Sequence, residues 1–125
     1  MGQLDPSEIP RYLSAADVGL SFVKATYATQ SRSPTKIPEY LAAGLPIIAN
    51  SGVGDVDKLI TDDGVGVLID SFDSDSYRQA IRRLKTLGNI GDKCRETAKN
   101  RFALETVGGV RYRRLYKKLF CKNCA

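Results

Sequence analysis

The stretch SPTKIPEYLAAGLPIIANSGVGDVDKLI, Ser33 to Ile60, decides the fold because its hydrophobic period switches twice. Ile37 to Ala43 has helical spacing, with Pro38 in the first turn, where a missing N–H costs nothing, and Gly44 placed as the C-terminal cap. Pro46 to Asn50 (PIIAN) then reads as a strand, followed by a glycine turn, SGVGD. Asp55 to Thr61 returns to a short helix.

Working outward, Val18 to Val23 (VGLSFV) is an apolar run of strand length, suited to burial on both faces. Before it, Ser7 to Ala16 predicts a short helix that places Ile9, Tyr12 and Leu13 together behind an N-cap at Ser7. Between that strand and Ser33, the polar segment Lys24 to Ser33 predicts a loop leaving the strand's C-terminal end. Downstream, Gly66 to Asp70 (GVLID) predicts a third strand. Three helices follow: one with Tyr77, Ile81, Leu84 and Leu87 on a face, one over Asp92 to Phe102, and one after Glu105 that Gly108 and Gly109 bend near its start.

Strand and helix alternate, with connections long enough to cross over, so the fold class is α/β. The expected architecture is a parallel, partial Rossmann-like sheet of about three strands flanked by helices, the far side of its switch point being absent. With 125 residues the chain makes one domain, residues 1–125, within which 103–125 form a basic amphipathic helix and tail.

The Ser33–Ile60 segment resembles the C-terminal domain of the glycosyltransferase group 1 family, the retaining family 4 enzymes of GT-B architecture. SEIPRYLSAADVGLSF upstream and DDGVGVLID downstream extend the likeness over residues 7 to 87. The resemblance implies a donor site bracketed by a Glu-x7-Glu pair. Glu39 stands at the second glutamate, while the first falls on Ser31, a departure that leaves only a hydroxyl where the family places a carboxylate near the donor sugar. It further implies transfer of a hexose from a nucleotide diphosphate sugar to a glycan or lipid-linked acceptor, without cofactor or metal. The family's upstream Arg and Lys and its N-terminal acceptor domain have no counterpart in this sequence, so the chain alone is expected to be inactive.

Chemistry independent of the family points to the same place. A helix that starts beyond a strand end offers free amides and a positive dipole end to phosphate, and Thr35 and Lys36 add a hydroxyl and a charge there. Such donors stabilise the charge growing on a departing diphosphate. Glu39, one turn on, can accept from two vicinal ribose hydroxyls. Gly52 and Gly54 could admit a ligand to the mouth of the sheet. The candidate substrate-binding set is Ser31, Ser33, Thr35, Lys36, Glu39 and Gly52, with no residue assigned to catalysis or metal. The plainer alternatives are a solvated helix glutamate, an ordinary N-cap beside a surface lysine, and turn glycines without ligand contact.

Composition narrows the remaining classes. With no histidine, the commonest general base and the His-paired nucleophiles are excluded. Cys121 and Cys124 have half-site zinc spacing, but Cys94 is the one further thiol against the four ligands zinc requires, and an odd cysteine count suits reduced thiols. The polar, proline-broken N-terminus predicts a cytoplasmic protein, with a peripheral position at the inner membrane face as an extension.

A net charge of +5 permits nucleic-acid binding, but no recognition motif accompanies it, so no nucleic-acid partner is expected. In the tail, Arg111, Arg113, Arg114, Lys117 and Lys118 alternate with Tyr112, Leu115, Tyr116, Leu119 and Phe120; packing is the first expectation, which the family resemblance places against the N-terminal domain, and anionic lipid the second. The rival function is a non-catalytic α/β scaffold that self-associates through an unpaired sheet edge. A response-regulator-like fold fails for want of an acidic cluster, since only Asp17 is near the first strand.

Overall fold

Parallel strands must be joined by crossovers, and the helices of those crossovers bury the sheet. The computed structural model describes residues 5–120 and shows this arrangement. Strands β1 (Gly19–Ser21), β2 (Ile47–Asn50) and β3 (Gly66–Ile69) form one sheet in the order β1-β2-β3. Both pairings are parallel, with Gly19 opposite Ile47 and Ile47 opposite Gly66. Helix α1 (Ile9–Leu13) precedes β1, α2 (Lys36–Ala42) joins β1 to β2, and α3 (Val56–Asp63) joins β2 to β3. Helices α4 (Ser74–Leu87), α5 (Gly91–Phe102) and α6 (Gly109–Phe120) follow, with a π turn over Leu104–Gly108 between the last two.

Alternation along the strands sorts the core into two layers. On one face Ile47 and Ala49 meet Ile37 and Leu41 of α2, Val56, Leu59 and Ile60 of α3, and Cys94 and Ala98 of α5. On the other, Ile48, Val67 and Ile69 lie against α4 through Ala80, Tyr77 and Leu84. All four residues of β2 are buried, as a central strand covered on both sides requires. Burial also pushes the Cys94 thiol up, the setting of a packing residue rather than a nucleophile.

The caps explain where the helices begin and end. Gly44, at φ +83°, terminates α2 while the amide of Leu45 donates to the carbonyl of Tyr40. Asp73 opens α4, its carboxylate accepting from the amides of Asp75 and Ser76. The Ser71 hydroxyl, followed by the Ser76 amide, holds the Asp73 carboxyl below the ordinary range. Arg101 and Asp63 pair across the ends of α5 and α3.

Several boundaries differ from the sequence expectations. At the N-terminal helix Asp5, not Ser7, supplies the cap: its carboxylate accepts the Ser7 amide at 2.8 Å and opens a 3-10 turn over Pro6–Glu8, leaving α1 only five residues. The loop from Lys24 contains a 3-10 turn at Tyr27–Ser31. The buried face of α4 is Tyr77, Ala80 and Leu84, whereas Ile81 and Leu87 are exposed, because α4 rests on β3 through a narrower stripe than the four apolar residues suggested. Residues Val110–Phe120 of α6 are all exposed, so the apolar face of the tail helix is not packed against the rest of the described residues. Cys121 and Cys124 lie outside those residues.

Candidate functional site

The three strands end on the same side of the sheet, and a buried amide ties two of those ends together. Asn50, the last residue of β2, is 4% exposed. Its Oδ1 accepts the Val23 amide at 2.8 Å and its Nδ2 donates to the Ser51 carbonyl at 3.1 Å. A side chain thus replaces the backbone ladder just beyond Ser21, which is why β1 is shorter than the Val18–Val23 run. Across the other seam, the Ser51 amide donates to Ile69 at 3.0 Å and the Ser51 hydroxyl to Asp70 at 2.9 Å.

From Val23 the chain passes through the 3-10 turn and returns to α2. Thr29 closes the turn, its hydroxyl oxygen accepting the Thr26 amide at 2.7 Å. The loop then crosses the glycine turn so closely that a Cβ on Gly54, at φ +53°, would sit 1.9 Å from the Arg32 carbonyl oxygen. Gly54 therefore serves the approach of the loop.

This path brings Arg32, Ser33, Thr35 and Lys36 to the exit of β1, where they line a cleft of about 250 Å³ with Ser21, Phe22 and Val23. Thr35 occupies the N-cap position of α2 with helical dihedrals and makes no capping bond, so its hydroxyl is not used up by the helix. Arg32 was not legible as a site residue, since one arginine in a polar loop carries no periodic signal; only the crossing over Gly54 places it beside Lys36.

The other candidates lie apart from that cleft. Ser31 lines a neighbouring hollow with Gly54, Asp55 and Lys58, which shares Arg32 and Ser33 with the cleft. Gly52, at φ +81°, donates its amide to the Asp57 carboxylate at 3.0 and 3.2 Å, so that amide is engaged by the first turn of α3. Glu39 is exposed and does not line the Thr35–Lys36 cleft; it stands between a groove against α1, with Ile9, Pro10 and Leu13, and another against α5, with Arg95 and Lys99. Among the described residues no group of three or more potential metal ligands occurs.

Comparison with known proteins places this geometry in a family. The model of the family described as glycosyl transferases group 1 matches residues 1–101. The chain belongs to that family. TuaH of Bacillus subtilis (strain 168), named as a teichuronic acid biosynthesis glycosyltransferase, is 36% identical over 50 residues, which are 40% of this chain and 13% of TuaH. The structure of a sucrose-phosphate synthase from Thermosynechococcus elongatus superposes with a TM-score of 0.76 at 25% identity, over 98% of this chain and 30% of that one. The α/β sheet with its flanking helices is thus the group 1 fold, and the chain spans less than a third of either relative's length.

The Asn50 bridge is the element of this site most open to a direct test. Replacing Asn50 by Leu removes the acceptor and should cost about 1–3 kcal/mol, the penalty for a polar group left without its partner. Chemical denaturation reads that loss, and hydrogen exchange at the Val23 amide should accelerate; unchanged protection there would show that the bridge does not hold the two strand ends.

Proposed function

We propose that this chain is the donor-binding portion of a retaining glycosyltransferase, holding a nucleotide diphosphate sugar at the exits of β1 and β2. Supporting it most is the convergence of Arg32, Ser33, Thr35 and Lys36 on the cleft where α2 begins. Two cations, two hydroxyls and the Lys36 amide that opens α2 suit a diphosphate, and their stabilisation grows as the leaving group gains charge. In this proposal side chains supply the positive charge, and the transfer needs neither metal nor cofactor.

The separation of Glu39 from the cleft fits an extended ligand. Four residues of helix put about 6 Å between Thr35 and Glu39 at 1.5 Å per residue, the scale of the step from diphosphate to ribose in a nucleotide. The proposed donor therefore runs from the cleft along α2, its ribose hydroxyls on Glu39 and its base toward the apolar groove of Ile9, Pro10 and Leu13. Ser31, in the adjoining hollow, would hydrogen-bond the sugar. TuaH is named for glycosyl transfer in teichuronic acid biosynthesis, and the solved neighbour for sucrose-phosphate synthesis. We extend to this protein a hexose transfer to a glycan or lipid-linked acceptor in the cytoplasm, the acceptor being held by a further domain.

A second possibility rests on β1. Its outer edge has no strand partner among the described residues, and on that side Leu20 is 52% and Phe22 38% exposed. Phe22 touches Phe72 and Tyr77 edge-on, with ring centroids 5.9 and 5.7 Å apart, so an apolar surface adjoins the open edge. A scaffold that self-associates through this edge would use it directly.

Two measurements separate these functions. Isothermal titration of the chain with uridine and guanosine diphosphates should show weak binding of at least one, and Lys36→Ala should weaken it roughly tenfold, since a hydrogen bond to a charged group is worth about 1.5–3 kcal/mol. Absence of binding by both, or an unaltered affinity in Lys36→Ala, would refute the donor site. Sedimentation should give a monomer if the edge awaits a further strand of the same domain; a dimer split by Leu20→Lys would favour the scaffold.

A further inference from the structure

We propose that Asp57 is a positioning residue for the donor cleft, acting through the 51–55 turn, and this role rests on the donor lying where we place it. Asp57 is not among the residues lining the cleft; its carboxylate accepts the Gly52 amide at 3.0 and 3.2 Å. Both glycines of the turn are left-handed, Gly52 at φ +81° and Gly54 at φ +53°. Glycine visits either sign of φ freely, so a turn with two of them keeps one shape only where its backbone is tied. Ser51 is tied on the β3 side, its amide donating to Ile69 and its hydroxyl to Asp70. Val53 is buried in the core and its carbonyl accepts the Val56 amide at 3.1 Å. Between those two anchors, the tie on Gly52 is Asp57.

The turn lies against the loop that carries residues of the cleft. A Cβ on Gly54 would stand 1.9 Å from the Arg32 carbonyl oxygen, and one on Gly52 would stand 3.5 Å from the Ala25 side chain. The turn thus meets the 24–35 loop twice, at Ala25 where the chain leaves β1 and at Arg32 where it returns to α2. Asn50 holds the outgoing limb by the Val23 amide, and Asp57 fixes the surface against which the returning limb rests. If that surface moves, Arg32 and Ser33 move relative to Thr35 and Lys36, which the start of α2 holds in place. A loop ordered before the ligand arrives spares the ligand the entropy of ordering it, so a brace behind the loop raises affinity without touching the donor. The plainer role for Asp57 is that of a carboxylate favoured in the first turn of α3. That role would alter stability alone and leave the loop where it is.

Amide-resolved spectra of the ligand-free chain test the brace without any donor. Asp57→Ala should shift the amides of Gly52, Gly54 and residues 32–36 and speed hydrogen exchange at Gly52. Asp57→Asn keeps an oxygen acceptor and should restore most of both. Asp57→Ser, too short to reach Gly52, repeats the removal with a residue suited to the first turn of a helix. Titration with uridine and guanosine diphosphates reads the consequence. The nucleotide that the unaltered chain binds should bind Asp57→Ala roughly three- to tenfold more weakly, and Asp57→Asn within about twofold of the unaltered chain. Arg101→Ala breaks the pair with Asp63 at the far end of α3 and loosens that helix without touching the turn, so it should leave the affinity unchanged. Unmoved amides at residues 32–36 in Asp57→Ala and Asp57→Ser would overturn the positioning role whatever the nucleotides do. So would a loss in Asp57→Asn equal to that in Asp57→Ala, or an equal loss in Arg101→Ala. Failure of the unaltered chain to bind either nucleotide would refute the donor site instead, while the amide shifts judge the brace by themselves.

Discussion

The buried side chain of Asn50 does at the end of the sheet what the backbone does within it. Accepting the Val23 amide, it holds the departing β1 chain against the end of β2 after the regular ladder has stopped. The loop must then turn over the glycine segment and descend into α2, and its Arg32 carbonyl takes the space that a Cβ on Gly54 would fill. Two local constraints, one polar and one steric, therefore place Arg32, Ser33, Thr35 and Lys36 at the mouth of the sheet. A hydrophobic side chain at residue 50 would leave the loop without this attachment.

Much of the fold was legible because parallel α/β architecture writes itself in period. The apolar runs at Gly19–Ser21, Ile47–Asn50 and Gly66–Ile69, separated by helical spacing, specify a three-stranded parallel sheet almost without alternative. The errors fall where side chains outcompete a pattern. Ser7 looks like a cap, yet Asp5 takes the role because a carboxylate two residues earlier can accept both the Ser7 amide and its hydroxyl. Ile81 has the right spacing for the face of α4, but only Tyr77, Ala80 and Leu84 reach the sheet.

The candidate site was legible in its centre and not at its borders. Thr35 and Lys36 were visible because they open a helix after a strand, and Ser33 lies beside them in the folded chain. The place of Arg32 depends on a close backbone crossing between segments about twenty residues apart, which no local pattern encodes. Glu39 sits on the expected helix, but its direction is set by how α2 rolls against α1 and α5, and that roll turns it toward their grooves. Gly52 was expected to present an open backbone, and the Asp57 carboxylate has taken its amide. Leu20 of β1 and Tyr112, Leu115, Tyr116, Leu119 and Phe120 of α6 are apolar residues that stay more than half exposed.

The central claim is spatial, that a diphosphate rests where β1 ends and α2 begins. Amide-resolved chemical-shift mapping of the isotopically labelled chain during addition of a nucleoside diphosphate tests it most directly. The largest shifts are expected at Ser21–Val23 and Arg32–Lys36, with smaller ones reaching Glu39 and the α1 groove. Shifts confined to α4 or α6, with the β1–α2 junction unmoved, would contradict the account.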